Sequence, residues 1–318
     1  MMNDDGYHVP VLLNETIDLL INKEIVDHVV VDGTLGGGGY SEAICQRFES
    51  FGVKNYLLIC IDKDENAIRY SSERLKNFSG NIIFEKGNFA DLKMILSKHK
   101  IQNVTGITLD LGLSSYQLEK EDGFSFMRNT TLDMRADKDN NLTAAEILNN
   151  YSENELTEIF ENYGEIGNAE RLSNAIVSYR KSNQFSTTEN LTEVIDSEYS
   201  IDKKNRIKFL AKIFQALRIE VNGELNDLNK ILNDSSELLR KSGRIAIVTY
   251  HSLEDRIVKN YFKEKSFKEK KSKYGNSSTE SNSPEFSLVN KKVITPGYKE
   301  ISENPRSRSA KLRVAEKL

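Results

Sequence analysis

The chain has 318 residues, 29% charged and 38% hydrophobic, with a net charge of −4. That length suits about two domains at ~150 residues each, and the acidic balance excludes a globally basic nucleic-acid coat while allowing a local basic patch. No apolar run approaches the roughly 18 residues of a membrane span, and Val9–Leu13 is too short for a signal-peptide core, so a cytoplasmic protein with no membrane partner is expected.

Tyr7–Leu13 leads into a short amphipathic helix over Asn14–Leu20, with Asn14 as its expected N-cap. The strand Val29-Val-Val-Asp32 then runs into Gly33-Thr-Leu-Gly-Gly-Gly-Gly-Tyr40, and Ser41 opens a helical pattern. A strand, a glycine-packed turn and a helix N-terminus form the usual cradle for a nucleotide-like cofactor. The dinucleotide fingerprint G-x-G-x-x-G fits no register, because Leu35 occupies the place of its second glycine. That speaks against NAD. Tyr56–Ile61 is an all-apolar strand ending in Asp62, which can grip ribose hydroxyls or cap the helix Asp64–Lys76. After a third strand, Asn81–Glu85, Phe89 can stack on an adenine ring or fill the core. Gly106–Leu111 is a fourth strand, closed by Asp110 and followed by Gly112-Leu-Ser-Ser-Tyr-Gln117. Strands alternating with helices predict a doubly wound α/β sheet, which binds ligands outside the carboxyl ends of its strands. Asp32, Asp62, Phe89 and Asp110 all fall on that edge.

From Lys120 to Lys208 no strand is expected, and Leu142–Tyr163, Ala169–Tyr179 and Leu191–Ile195 show helical periodicity. The predicted division is therefore a first part of the sheet domain over 1–118, an inserted helical domain over 119–208, and a second part over 209–318. A helix over Ile207–Val221 is expected to return the chain to the sheet, and another over Leu225–Leu239 to stop at Gly243. Arg244–Tyr250 is a fifth strand, directly followed by His251. A mobile basic loop is expected near 263–284, then an antiparallel pair of Val289–Ile294 with Lys311–Ala315. Between them, Arg306 and Arg308 can meet phosphates. Cys45 and Cys60 show neither metal nor redox spacing and read as buried and reduced, so no metal site is expected.

Asp32-Gly-Thr-Leu-Gly-Gly-Gly-Gly-Tyr40 with Leu109-Asp-Leu-Gly-Leu-Ser-Ser115 suggests a class I S-adenosylmethionine-dependent methyltransferase. Gly123-Phe-Ser-Phe-Met-Arg128, Leu132-Asp-Met-Arg135, Phe214-Gln-Ala-Leu-Arg-Ile219, His251-Ser-Leu-Glu-Asp-Arg256 and Asn304-Pro-Arg-Ser-Arg-Ser309 are more specific. Together, from His8 to Lys317, they resemble the bacterial 16S ribosomal RNA (cytosine-N4)-methyltransferase family, RsmH or MraW. The resemblance implies a Rossmann-like class I sheet with an all-helical insert that recognises substrate. It also implies S-adenosyl-L-methionine as donor and 16S rRNA within the small ribosomal subunit as partner. At matching positions Gly38, Gly39 and Tyr40 would hold the methionine end, Asp62 the ribose and Phe89 the adenine surroundings, with Asp110 and Gln117 completing the pocket. The family usually carries His where this chain has Tyr40.

A cytosine N4 amine is a poor nucleophile because its lone pair is delocalised into the ring. The enzyme must align it and take its proton. Asp110, with the turn that contains Ser114, offers acceptors to such an amine, and His251 is a second proton acceptor or else a cap for the following helix. Phe124 and Phe126 can stack on a flipped base or anchor their loop. Arg135 and Arg256 are phosphate candidates, or partners for Asp133 and Glu254. Two readings from other classes stand beside this one: an NAD-dependent oxidoreductase, and a non-enzymatic RNA-binding assembly factor with a vestigial donor pocket.

Overall fold

The computed structural model describes residues 10–112, 121–266 and 283–318. The chain divides into two units, one of residues 1–112 with 226–318 and one of residues 113–225.

The first unit is built on a seven-stranded sheet. Its strands are β1 (His28–Asp32), β2 (Tyr56–Asp62), β3 (Ile82–Lys86), β4 (Val104–Asp110), β5 (Leu239–Thr249), β6 (Phe286–Leu288) and β7 (Lys311–Lys317). They lie in the order β3-β2-β1-β4-β5-β7-β6. Strands β1 to β5 pair in parallel and β7 runs antiparallel to both neighbours. Sequential order reverses between β1 and β4, and that switch point is where doubly wound sheets bind ligands. Because both faces are covered, the central strands are largely apolar, with Leu58, Ile59, Cys60, Ile61, Ile107 and Leu109 fully buried. One core on this sheet gathers Ile44, Phe48, Leu58 and Val248; the other gathers Ile59, Ile107, Ile231, Leu232 and Ile247.

The helices of this unit are α1 (Leu13–Leu20), α2 (Gly39–Ser50), α3 (Glu65–Arg74) and α4 (Leu92–Lys98). The second unit holds α5 (Ala144–Asn150), α6 (Glu153–Asn162), α7 (Ala169–Tyr179), α8 (Thr188–Glu198) and α9 (Lys203–Asn222). Then α10 (Glu224–Leu238) leads back to the sheet, and α11 (Ser252–Ser266) and α12 (Tyr298–Glu303) complete the helices described.

Four expectations from the sequence need correction. The helix before the sheet is entered through Leu12 in the left-handed region (φ 54°), not through Asn14, and no side chain caps it. The Leu12 N–H instead donates to Glu300 Oε1 at 2.7 Å. The helical domain does not end near 208: α9 buries Leu210, Ile213, Phe214, Leu217 and Val221 in the helical core, so the second boundary lies at 225. Gly243 is no helix stop, because α10 ends at Leu238 and β5 begins at once with Leu239. Finally, β7 takes Phe286–Leu288 as its outer partner, while Val289–Ile294 contributes only the Ile294–Leu312 bridge as strand pairing.

In the helical unit each of three helix starts carries its own signal. Ser152 and Glu155 close a reciprocal capping box on α6, Thr187 and Asn190 do so on α8, and Asp202 caps α9. Leu156, Phe160, Leu172, Ile176 and Leu191 then share one core.

Candidate active site

The carboxyl edge of the sheet gathers the turn after β1, the ends of β2 and β4, and the residues after β3 and β5. The turn is held at many points. Asp32, fully buried, accepts the Ser41 hydroxyl at 2.7 Å and the Thr34 N–H at 3.3 Å. The Asp62 carboxylate accepts the Gly36 N–H at 2.8 Å and the Asp64 N–H at 2.9 Å. From α3, Ser71 Oγ donates to the Gly36 carbonyl and Arg74 Nη1 to the Gly37 carbonyl, at 2.8 and 2.7 Å. These bonds draw carbonyls toward α3. The first N–H groups of α2 have no partner within the helix and suit a negatively charged group. Gly38 takes φ 75°, and a Cβ on Gly39 would stand 2.3 Å from Pro10 Cγ, so neither position accepts a larger residue without rearrangement.

Asp110 is the chemically distinctive group. Its N–H donates to Thr34 Oγ1 at 2.7 Å, which ties β4 to the turn. Burial pushes its carboxyl up to about 7, although the Tyr250 hydroxyl and the Gly112 N–H donate to it and pull the other way. Among the described residues, Asp110 Oδ1 is buried without a hydrogen-bond partner. Burial likewise raises Asp32 to about 6, against the donors Ser41 and Thr34, and raises Asp62 above the usual carboxylate range. A buried carboxylate that keeps an unused acceptor is costly. It is a mark of a site that a ligand completes.

Several candidates find other employment. Tyr40 is buried and its hydroxyl donates to the Val11 carbonyl, so the side chain braces the segment before α1. What it can offer a ligand is its backbone at the start of α2. Helix α3 is capped by Asp64, not Asp62, which leaves Asp62 on the turn. Phe89 opens a short 3-10 turn and is half-buried, with its Cβ 2.9 Å from where a Cβ on Gly33 would stand. His251 precedes α11. Its Nε2 lies 3.1 Å from Glu254 Oε1, and the Glu254 carboxylate accepts the Tyr250 N–H at 2.8 Å and the His251 N–H at 3.3 Å. The Glu254 carboxylate thus caps α11, while His251 Nε2, like Asp110 Oδ1, is buried without a hydrogen-bond partner among the described residues.

In the helical unit, Phe124 is buried and Phe126 sets its ring edge-on to Phe214 at 5.4 Å, so both rings anchor their loop. Arg135 is spent as well: Nε and Nη2 grip Asp133 at 2.7 and 3.0 Å, and Nη1 donates to the Asn140 carbonyl at 2.6 Å. Arg256, Arg306 and Arg308 are exposed, and Arg256 and Arg306 have partners. Ser114 and Gln117, and residues 267–282 of the expected basic loop, lie outside the described residues. Sequence reasoning missed Thr34 and Tyr250, which both bond Asp110. The available signal was position: one is a hydroxyl inside the glycine turn, the other a phenol closing an apolar strand.

An order of β3-β2-β1-β4-β5-β7-β6 with β7 reversed, and a glycine turn facing acidic strand ends, define a class I methyltransferase that uses S-adenosylmethionine. The chain belongs to the MraW methylase family, which it matches over residues 5–318. It is 43% identical to the ribosomal RNA small subunit methyltransferase H of Chlorobium limicola, with 100% of both chains covered. To the proteins of that name from Clostridium botulinum and Persephonella marina it is 44% and 41% identical, covering 98% of this chain and 99% of each relative. A looser likeness, at a TM-score of 0.39 and 13% identity over 98% and 99% of the chains, runs to an rRNA methylase from Streptococcus thermophilus. The family match overturns the NAD alternative, and the intact cradle gives the vestigial-pocket reading no support.

The cradle fits the donor on its own chemistry: helix-terminal N–H groups for a carboxylate and Asp62 for ribose hydroxyls, with the unpartnered Asp110 Oδ1 left free beside it. Gly38, Gly39 and the Tyr40 backbone would hold the methionine end and Asp62 the ribose, with Phe89 beside the adenine. When bound, the donor supplies an electrophilic methyl carbon carried on a sulfonium.

Proposed function

We propose that this protein methylates the N4 amine of a cytosine in 16S rRNA of the small ribosomal subunit. The observation that carries the reading is Asp110 Oδ1, a buried acceptor without a partner among the described residues, on a carboxyl raised to about 7. The amine becomes acidic as its lone pair enters the new bond, and Asp110 takes the proton at Oδ1. A base titrating near the working pH combines a usable fraction of carboxylate with real proton affinity. Thr34 fixes the Asp110 backbone by accepting its N–H, and the Tyr250 hydroxyl donates to the carboxylate itself.

The cysteines support nitrogen over carbon as the acceptor. Methylation at C5 of cytosine needs a thiolate to add to the ring and activate it. Cys45 and Cys60 are the only cysteines in the chain and both are fully buried. Burial raises Cys45 to about 11 and Cys60 above its ordinary value, so neither is a nucleophile. The relatives' shared name supports the small-subunit substrate, and the helical unit is its reader in this proposal. The protein would work in the cytoplasm; no described helix is long and apolar enough to cross a membrane.

The test supplies methyl-labelled S-adenosylmethionine and small subunits from a strain lacking this protein. Nuclease digestion should release labelled N4-methylcytidine. Labelled 5-methylcytidine, or no incorporation at all, overturns the assignment.

A further inference from the structure

Residues 289–311 form a surface that the donor cradle does not use. They include six basic residues against two acidic ones, in a chain whose net charge is −4. Lys291, Lys292, Lys299 and Arg308 are exposed and, among the described residues, make no ion pair. In the same segment Tyr298 stands 90% exposed at the start of α12. A single exposed apolar residue is ordinary. A bare aromatic ring in a stretch where four cations make no ion pair among the described residues is a different matter, because the two together meet a flat base and its phosphates.

The surface is also fastened to the cradle. Helix α12 packs on the 3-10 turn Pro305–Ser309, which carries Arg308, and Ile294 bridges Leu312 just beyond that turn. Glu300, in the first turn of α12 with Tyr298, accepts the Leu12 N–H at 2.7 Å. The carbonyl of adjacent Val11 takes the Tyr40 hydroxyl, and Pro10 fills the space beside Gly39. A short run of residues thus links α12 to the wall of the glycine turn.

We propose that this surface grips a single-stranded stretch of the RNA substrate, Tyr298 stacking on an unpaired base while Lys299 and Arg308, with Lys291 and Lys292, meet its phosphates. The proposal rests on the RNA substrate assigned above and adds where the sheet unit holds it. Single-stranded RNA supplies both a π-face and a chain of anions, the combination that stacking platforms with basic grooves bind. An acidic protein surface would pair the lysines but leave the ring unused.

The test compares the parent with Tyr298→Ala, Tyr298→Phe and the double variant Lys299→Gln/Arg308→Gln. The readouts are the dissociation constant for unmethylated small subunits, KM and kcat for methyl transfer, and donor affinity. Tyr298→Ala should weaken subunit binding and raise KM about tenfold, within the range for one stacked base. Its kcat, donor affinity and melting temperature should stay at parental values. Tyr298→Phe keeps the ring and should match the parent. The double variant should flatten the dependence of log affinity on log salt by about 0.7 for each phosphate it no longer neutralises. Unchanged subunit binding in Tyr298→Ala overturns the proposal, and so does an equal loss in Tyr298→Phe, which would assign the effect to the hydroxyl. If the parent binds subunits and Tyr298→Ala weakens that binding, yet no methyl is transferred, the assigned reaction falls and this surface stands.

Discussion

The glycine turn after β1 and the loop before α5 are both dense in motif residues, yet they use them in opposite ways. In the loop, polar groups satisfy one another. Arg135 grips Asp133, Asn222 accepts the Ala136 N–H at 2.9 Å and donates to the Met134 carbonyl at 2.9 Å, and Asn140 donates to the Val221 carbonyl at 3.1 Å. At the sheet edge the anchoring is just as thorough, but Asp110 keeps a buried oxygen unused and three aspartates are held above their ordinary range. A closed network builds a shape; an incomplete one, kept out of water, is completed by a ligand. Motif density alone does not separate the two.

The comparison breaks most directly at Asp110. Asp110→Asn keeps the shape and removes the base, so kcat should fall by about 10²–10⁴-fold. The parent's kcat/KM should rise with pH through an apparent value near 7, set by the raised Asp110 carboxyl of the free protein, and the variant should lose that limb. A kcat within a few-fold of the parent moves the proton to another acceptor, with His251 first in line.

The same group has a signature in stability. A carboxyl raised by folding adds stability that is complete below its unfolded value, about 3.9, and lost as pH rises through the folded one. With Asp32 near 6 and Asp110 near 7, these two groups should cost the ligand-free protein stability between about pH 4 and 7. Denaturant titrations across that window should show a shallower decline in Asp110→Asn. A stability that climbs with pH through this window in the parent contradicts the raised values.

Asp62 comes next. Removing a charged acceptor for ribose hydroxyls costs roughly 1.5 to 3 kcal/mol per bond, so Asp62→Ala should weaken S-adenosylmethionine by at least about tenfold in calorimetry. Part of that loss will come through Gly36, whose N–H the carboxylate also accepts. Unchanged donor affinity would make Asp62 a brace for the turn alone.

The smallest functional effect belongs to the helical unit. Arg135→Ala removes both guanidinium bonds from half-buried Asp133, leaving it Lys138 at 3.4 Å and the residue-135 N–H at 3.0 Å, at a cost of about 1–3 kcal/mol, seen as a lower melting temperature. Donor affinity should not change. If small-subunit binding falls with no loss of stability, Arg135 reaches RNA after all and the closed-network reading of the loop is wrong.

Much of this protein was legible without coordinates, for local reasons. Apolar runs closed by aspartate mark buried strands, the glycines of the turn mark close backbone approach, and the alternation of strand and helix implies one edge where Asp32, Asp62, Phe89 and Asp110 meet. Helices α7 and α9 follow from periodicity alone. What periodicity cannot report is which core a helix joins: α9 was expected to return the chain to the sheet and instead fills the helical core. Nor does a sequence say which polar residue is spent. Arg135 and Arg308 look alike in a motif, but one is locked to Asp133 and the other is exposed. The pairing of Asp110 with Thr34 and Tyr250 spans 76 and 140 positions of chain, and the unpartnered Oδ1 exists only once both strand ends are side by side. Hydrogen-bond satisfaction is a property of neighbours in space, so tertiary structure alone decides where the protein leaves a group for its ligand.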